Sequence, residues 1–245
     1  MTEQESDQVT ARFFSAGKNE LDNMILAAAA TEIEMLPFKT IASRNKIACD
    51  TIITGVGPVA AAIEITRWLC EHSRPSLVLN FGVAGAYLGD ALSRARLLDI
   101  CLAHREWFGD LGICTDRGTV PLDTSIAGEI VCELDRGLRE RVRKILKLRG
   151  HRFLEGDFVT VSGVSATNKR GKQLQGRFNG LCENMEGASV ARACETFAVP
   201  VVEIRAVSNY VTDRDLSSWK LAEACSVIAR VSAEIITDLN SDEEK

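Results

Sequence analysis

Short apolar runs alternate along this chain with segments that carry apolar residues at helical spacing. Six of the runs predict strands because they are almost continuously apolar, as expected of strands that are covered on both faces. These predicted strands are residues 24–30, 50–54, 77–81, 97–103, 158–162 and 201–208. The alternation of the two patterns favours a three-layer α/β domain.

Four segments between and after these runs predict helices. The first spans residues 58–72, with Pro58 in its first turn and a glycine just before it. A strongly charged segment, 130–148, and a segment of small residues, 186–198, predict two more. The last helix is the clearest, because apolar residues recur at helical spacing from Leu221 to Leu239.

The chain shows no linker, low-complexity tract or internal repeat, so we predict one domain over residues 23–240. Residues 1–22 carry early acidic residues and no uninterrupted apolar core. We interpret them as a disordered lead-in rather than a signal peptide. Residues 241–245 are interpreted as a frayed acidic tail.

Composition and charge exclude several classes of partner. The 245 residues carry a formal net charge of −5, which argues against a nucleic-acid-binding coat. No apolar run reaches the roughly 20 residues that a membrane helix requires, so we expect no membrane partner. The eight cysteines form no CxxC pair and only three histidines are present, which predicts neither a metal site nor a cofactor held by one. We interpret the cysteines as reduced residues of a cytoplasmic protein.

Two glycine-containing turns follow predicted strands. Residues 51–62 read TIITGVGPVAAA, and residues 80–86 read NFGVAGA. A dinucleotide-binding fingerprint would need a third glycine where Ala60 stands, so that interpretation is weak. A tight strand-to-helix turn is the alternative for the first motif. Because ligands of open α/β sheets bind at the carboxyl ends of strands, the two turns together favour one shared pocket.

A carboxylate follows the first predicted strand, in the segment AAAATEIEML. Glu34 could orient a water molecule or take its proton, and Glu32 is the competing candidate. The structural alternative is a solvated acid at a helix start, favoured by the helix dipole.

Two later motifs carry further candidates. Glu186, in ENMEGA, could accept two hydrogen bonds from a vicinal diol such as that of a ribose, or could simply cap the following helix. Asn209 follows the last predicted strand and carries a donor and an acceptor in one plane, which suits the edge of a 6-oxopurine ring. Its alternative role is to turn the chain after the strand.

Taken in order, these elements resemble the nucleoside phosphorylase/nucleosidase superfamily over roughly residues 24–239. The combination of NMEGA with RAVSN is specific, whereas each motif alone is weak. Within the superfamily the chain is most similar to the futalosine hydrolases. The similarity rests on the segment FGDLG at 108–112, on Asn209 where adenine-releasing nucleosidases carry Asp, and on DRD at 213–215 followed by Trp219.

The resemblance implies an αβα fold with a central mixed sheet and the hydrolysis of futalosine to hypoxanthine and dehypoxanthine futalosine in menaquinone biosynthesis. It implies a small-molecule nucleoside substrate, no cofactor and a homo-oligomer. Catalytic roles fall on Glu34 and Asn209. The implied substrate-binding residues are Ala84, Gly85, Phe108, Phe158, Met185 and Glu186.

Three other functions stay open at this point. A methylthioadenosine/adenosylhomocysteine nucleosidase is the nearest enzyme alternative, and Asn209 counts against it because an amide cannot supply a proton to adenine. A purine nucleoside phosphorylase would need space for a phosphate dianion, which a carboxylate at Glu34 would repel. A catalytically inactive nucleoside-binding protein is the third.

Overall fold

Strands and helices alternate along the residues that this computed structural model describes, which are 22–89, 95–115 and 118–243. The strands are β1 (Asp22–Ala29), β2 (Asp50–Ile53), β3 (Pro75–Ala86), β4 (Ile100–Phe108), β5 (Ile113–Thr115), β6 (Gly118–Val120), β7 (Val131–Glu133), β8 (Phe153–Thr160), β9 (Gly180–Asn184) and β10 (Val201–Tyr210). The α-helices are α1 (Glu32–Asn45), α2 (Pro58–Glu71), α3 (Thr124–Ala127), α4 (Arg136–Leu148), α5 (Asn168–Phe178), α6 (Gly187–Thr196) and α7 (Leu221–Glu243).

The main sheet is mixed, and five of its strands form a closed ring. β3 pairs in parallel with β1 and β10, and β1 pairs in parallel with β2. β10 continues antiparallel to β4, β4 parallel to β8, and β8 parallel to β9. β9 returns antiparallel to β3 and closes the ring. The short strands β5 and β6 form a separate hairpin.

Helices cover both faces of the sheet, which confirms the predicted αβα layering and the central mixed sheet. Alternation along β1 shows this directly, since Ile25 and Ala27 belong to one buried apolar cluster and Leu26 and Ala28 to the other. The first cluster includes residues of α1, α4 and α7, and the second includes residues of α2 and α6. A strand buried on both faces is expected to be continuously apolar, as the sequence of β1 is.

Several predicted elements begin or end elsewhere than expected. The strand predicted at 158–162 is β8 at Phe153–Thr160, and the strand predicted at 77–81 is the longer β3. The strand predicted at 97–103 begins at Ile100, because residues 96–99 form a turn in which Asp99 accepts a hydrogen bond from the backbone of Arg96. The helix predicted over 130–148 was wrong in its first turns. Residues 131–133 form β7, and the helix begins only after Asp135, whose side chain caps it.

Several described elements were missed, including the short elements β5, β6, β7 and α3. Three others also gave no clear signal in the sequence. α1 contains Pro37, which argues against a helix in a sequence reading, yet a capping box between Thr31 and Glu34 starts it. α5 carries few apolar residues, and its sequence NKRGKQLQGRF has two glycines. β9 has five residues and ends in polar ones, so neither segment shows a strong hydrophobic period.

The ends of the predicted domain also shift. Asp22 already belongs to β1, and the rest of the predicted lead-in lies outside the described residues. α7 continues to Glu243, so residues 241–243 of the predicted tail are helical, and residues 244–245 lie outside the described part. Among the described residues, no helix has the length and apolar content needed to cross a bilayer.

Candidate active site

A cavity of about 230 Å³ opens at the carboxyl ends of β1, β3 and β10. Its wall includes three of the predicted site residues from distant parts of the chain, Glu34, Glu186 and Asn209. The parallel pairing of β1 with β3 and of β3 with β10 brings the segments that follow these strands to one edge of the sheet. The shared pocket that the two glycine turns predicted is therefore present.

Glu34 is held by the start of α1 and by β3 at the same time. Its Oε2 accepts hydrogen bonds from the backbone N–H and the hydroxyl of Thr31, at 3.0 and 2.8 Å. Its Oε1 accepts from the backbone N–H of Val83 at 3.0 Å. Glu34 is buried, so the solvated alternative is wrong, and Glu32 is exposed and does not line the cavity. The carboxylate is thus fixed where it can orient a molecule inside the cavity.

Glu186 precedes α6 but does not cap it with its side chain. Its Oε1 accepts from the backbone N–H of Gly57 at 3.1 Å, and its Oε2 lies 3.6 Å from Nη1 of Arg205. Burial raises the pKa of Glu186, and the charge of Arg205 and the Gly57 hydrogen bond act in the opposite direction. The first glycine turn therefore positions a carboxylate: Gly57 has a φ of 92°, which lets its N–H face Glu186.

Arg205 was missed by the sequence reasoning, although it lies inside the RAVSN motif. It is 1% exposed and donates from Nε to Oε1 of Glu203 at 2.8 Å. A methyl group built on Gly82 would lie 2.5 Å from Oε1 of Glu34 and 2.6 Å from Nη1 of Arg205, so both side chains lie against this glycine. Burial alone would lower the pKa of Arg205, but the surrounding carboxylates outweigh burial and raise it. Arg205 is the buried counter-ion of the site.

A second layer of buried polar groups supports these residues. Asn184 accepts at Oδ1 from the backbone N–H groups of Glu186 and Gly187, at 2.9 and 2.8 Å, and donates at 2.5 Å to Glu106. Glu106 also accepts from the hydroxyl of Thr160 at 2.8 Å. Burial and then the charge of Glu203 raise the pKa of Glu106 well above its usual range. These contacts hold the start of α6, and with it Glu186, in a fixed position.

Asn209 belongs to β10, so the alternative in which it turns the chain is wrong. Its Oδ1 accepts from the hydroxyl of Ser208 at 2.9 Å, and its Nδ2 donates to the carbonyl of Tyr210 at 3.2 Å. The Tyr210 carbonyl can only accept, so the amide end that faces it is the donor. One N–H of Nδ2 has no acceptor among the described residues, and it can donate to a ligand.

The other predicted substrate-binding residues divide into two groups. Ala84, Gly85 and Met185 line the cavity. Phe158 does not, because its position on β8 directs it into the second buried apolar cluster with no exposed surface. Phe108, at the end of β4, is half-buried against that same cluster and also lies outside the cavity wall of this chain. In the single chain, therefore, neither ring lines the cavity, and a role for either in substrate binding stays a prediction.

The sequence predicted no ligand contact for two further residues of the cavity wall. Trp219, singled out only as part of the resemblance, is the one aromatic side chain among the described residues of the cavity wall. Glu183 is a buried carboxylate there that accepts from the backbone and the hydroxyl of Ser165, at 2.8 and 2.7 Å. Aromatic side chains stack on purine rings, and a buried carboxylate in a cavity is a candidate acceptor for a ligand.

Metal and thiol chemistry find little support in the described residues. They contain no group of three His, Cys, Asp or Glu side chains arranged to hold a metal ion. Cys225 lines the cavity, but burial and the charge of Glu34 raise the pKa of its thiol to about 11. A protonated thiol is a weak nucleophile. The arrangement instead suits a reaction in which carboxylates orient water and hydroxyl groups around a bond that carries developing positive charge.

Comparisons with known proteins agree with this geometry. The profile described as the phosphorylase superfamily matches residues 51–239. A futalosine hydrolase of Thermus thermophilus is 31% identical over 197 residues, covering 76% of this chain and 80% of that protein. The structure of a futalosine hydrolase mutant of Helicobacter pylori superposes with a TM-score of 0.77 at 18% identity, over 89% of this chain and 100% of that one.

A 5′-methylthioadenosine/S-adenosylhomocysteine nucleosidase from Helicobacter pylori is similar in fold, with a TM-score of 0.78 at 19% identity over 89% of this chain and 100% of that one. Identities this low establish a shared fold and leave the substrate to be argued from the site. The family assignment rests on the profile and on the futalosine hydrolase sequence. This chain belongs to the phosphorylase superfamily and, within it, to the family of the futalosine hydrolases.

Proposed function

We propose that this protein hydrolyses the N-glycosidic bond of futalosine, releasing hypoxanthine and leaving dehypoxanthine futalosine for menaquinone biosynthesis. Membership of the futalosine hydrolase family supports the reaction class. The observation that carries the proposal is the convergence of Glu34, Glu186 and Asn209 on one cavity, with Arg205 buried behind it beside Glu186. The four side chains provide the groups that hydrolysis of a purine nucleoside requires.

In this mechanism Glu34 orients the attacking water and takes its proton as the water adds to C1′ of the ribose. Its support is the fixed orientation of the carboxylate, which Thr31 and Val83 hold from both sides. General base catalysis of this kind contributes about 10²–10⁴-fold to a rate. Because the carboxylate is already positioned, it needs no rearrangement when the substrate binds.

Glu186 binds the ribose hydroxyl groups, and Met185 packs against the sugar. A carboxylate accepts two hydrogen bonds from a vicinal diol when it is ionised. Arg205 and the N–H of Gly57 stabilise that ionised form against the cost of burial. The negative charge that remains near C1′ also stabilises the oxocarbenium-like state formed as the bond breaks.

Asn209 stabilises the departing base by donating its unused N–H to N7 or O6 of hypoxanthine. The leaving anion of a 6-oxopurine spreads its charge onto O6, so a donor there binds the transition state more strongly than the substrate. By analogy with the donors of oxyanion holes, the expected gain is about 2–4 kcal/mol. An adenine leaving group instead needs a proton, which an amide cannot supply.

The charge balance of the cavity favours water over phosphate as the nucleophile. The one fully buried cation among the described residues is Arg205, and Glu203, Glu186 and Glu34 already surround it. A phosphate dianion placed beneath the sugar would meet these carboxylates, and the described residues of the cavity wall include no lysine or arginine to offset them. This counts against the purine nucleoside phosphorylase alternative.

A product assay tests the proposal. The protein is incubated with futalosine, inosine and methylthioadenosine, with and without phosphate, and the released base is identified by chromatography. We expect hypoxanthine from futalosine at a rate that phosphate does not change. Adenine from methylthioadenosine as the main product would establish the adenine-releasing alternative, a strict need for phosphate would establish a phosphorylase, and binding without any product would establish an inactive nucleoside-binding protein.

Two further expectations stay proposals that the family resemblance supports. We propose that the protein is cytoplasmic and that it forms a homo-oligomer. Light scattering coupled to size-exclusion chromatography measures the oligomeric state. A monomer at micromolar concentration would contradict that part of the proposal and would leave the chemistry of the cavity untouched.

A further inference from the structure

Glu183 and Asn209 lie in one row across three neighbouring strands. Gly85 of β3 pairs with Glu183 of β9 on one side and with Asn209 of β10 on the other. Directly paired residues point to the same face of a sheet, so both side chains rise from the face on which Gly85 has none. At the usual strand spacing the two α-carbons stand about 10 Å apart. Gly85 thus lies between two polar side chains, Glu183 and Asn209, on the same face of the sheet.

A β-bulge places Asn209 on this face. Val207 pairs with Ala84 and Asn209 with Gly85, so two residues of β10 advance while β3 advances by one. Without the extra residue, Asn209 would share the face of Val207, which belongs to a buried apolar cluster. The irregularity therefore turns the amide into the cavity.

A side chain at position 85 would reduce the space between Glu183 and Asn209. A methyl group built on Gly85 would lie 3.1 Å from Nδ2 of Asn209 and 3.0 Å from Cγ2 of Val211. Without a side chain at Gly85, the cavity wall between Glu183 and Asn209 is bare backbone. A planar bicyclic base can lie along this stretch with its polar edge toward the two residues.

Glu183 is held as an acceptor at one end of the row. Its Oε1 accepts from the backbone N–H of Ser165, and its Oε2 accepts from the hydroxyl groups of Ser165 and Tyr87, at 2.7 and 3.2 Å. A carboxylate offers about four lone-pair positions, and the described residues use three of them. One acceptor position remains for a ligand in the cavity that Glu183 lines.

We propose that Glu183 is a specificity-determining residue that accepts the N1–H of a 6-oxopurine while Asn209 donates to O6 or N7 of the same ring. The inference deepens the proposed function and rests on it. Hypoxanthine presents an acceptor at O6 and a donor at N1. Adenine presents the reverse, a donor at N6 and an acceptor at N1. An acceptor and a donor facing each other across Gly85 therefore match hypoxanthine and leave adenine with unpaired polar groups.

The wild-type protein provides the first test, with free bases as probes. Hypoxanthine, 1-methylhypoxanthine and adenine are titrated by isothermal calorimetry. 1-Methylhypoxanthine keeps O6 and N7 but lacks the N1–H, so we expect it to bind about 10- to 100-fold more weakly than hypoxanthine. Equal affinity for the two bases would overturn the assignment of Glu183.

The substitution Glu183→Gln provides the second test. In the variant the N–H of Ser165 holds the amide oxygen, so the amide NH2 group, a donor, takes the place of the second carboxylate oxygen. We therefore expect the preference for hypoxanthine over 1-methylhypoxanthine to disappear. The exposed control Glu129→Gln should keep the wild-type preference. A variant that folds and still discriminates between the two bases would refute the inference, and the measurement on wild type decides it if the variant does not fold.

The two proposals fail in distinguishable ways. If the wild type releases hypoxanthine from futalosine but binds 1-methylhypoxanthine as tightly as hypoxanthine, the base-reading role of Glu183 is wrong and the proposed function stands. If the wild type binds no hypoxanthine and releases none, both are wrong. Selective release of hypoxanthine together with loss of discrimination in Glu183→Gln supports both.

Discussion

Nη1 of Arg205 lies 3.6 Å from Oε2 of Glu186, and the two side chains are 1% and 6% exposed. Buried charges at this separation stabilise each other only as a pair, because each would pay a large desolvation cost alone. The charges of Glu203 and Glu34 also act on Arg205, so one guanidinium is the shared counter-ion of three carboxyl groups. The stability of the protein and the ionisation of its site are therefore linked through this residue.

Replacing Arg205 by methionine should destabilise the protein strongly. The variant leaves three carboxylates without their buried counter-ion, and breaking a buried pair costs about 3–5 kcal/mol. Urea unfolding measures the change in the free energy of unfolding. Arg67→Met is the matched control, because Arg67 is 60% exposed and its loss should cost less than about 0.5 kcal/mol. Equal stability of the two variants would contradict the counter-ion role.

Glu34→Gln should abolish most turnover and keep nucleoside binding. Glutamine keeps one oxygen for the capping box with Thr31 but has no second oxygen to accept from the N–H of Val83. The variant should therefore fold with some loss of stability and lack the base for the attacking water. We expect kcat to fall by about 10²–10⁴-fold with little change in the Kd of an unreactive nucleoside. The neighbouring exposed Glu32→Gln should behave as wild type. Turnover near normal in Glu34→Gln would remove Glu34 from the mechanism.

Asn209→Asp should shift the base preference toward 6-aminopurines. A protonated aspartic acid can deliver a proton to N7 of adenine, whereas its ionised form repels the negative charge that develops on O6 of hypoxanthine. We expect the ratio of kcat/KM for inosine to that for adenosine to fall by at least about 10-fold. The measurement compares both nucleosides under identical conditions. An unchanged ratio would show that Asn209 does not read the base.

Trp219→Leu should weaken substrate binding more than it slows the chemistry. Trp219 is the aromatic wall of the described cavity, and stacking on a base is worth about 1–3 kcal/mol. We expect KM to rise by about 10-fold or more with kcat changed less. Phe108→Leu is the control, since Phe108 lies outside the cavity wall. The opposite pattern, with Phe108→Leu the more damaging variant, would restore the sequence-based assignment of Phe108.

Glu106→Gln should flatten the pH dependence of stability. Burial and the charge of Glu203 raise the pKa of Glu106, so the folded state favours the protonated carboxyl group. The contribution of protonated Glu106 to the free energy of unfolding is fully present below the ordinary glutamate pKa. It is lost as the pH rises through the raised pKa, by up to about 1.4 kcal/mol per pH unit. Urea unfolding from pH 5 to 8 measures the slope for both proteins. Parallel curves would mean that Glu106 is ionised in the folded state.

Local patterns in the sequence were sufficient for much of the fold and for the first candidates. The apolar runs of β1, β3 and β10 predicted buried strands, and the turns after them predicted a shared pocket. Glu34, Glu186 and Asn209 became candidates from their local settings: Glu34 after the first predicted strand, Glu186 before a helix of small residues and Asn209 at the end of the last predicted strand. Elements with a weak hydrophobic period, such as α5 and β9, gave no comparable signal.

The remaining features depend on which strands are neighbours and on their register. Phe158 looked suitable for stacking, but the pairing of β8 turns it into the core. Arg205 reads as an ordinary charge until the fold surrounds it with carboxylates that are 2 to 171 positions away along the chain. Glu183 faces Asn209 because β3 lies between β9 and β10, and a bulge directs the amide inward. Periodicity along a chain specifies burial, whereas contacts between distant side chains arise from sheet order, which no local pattern encodes.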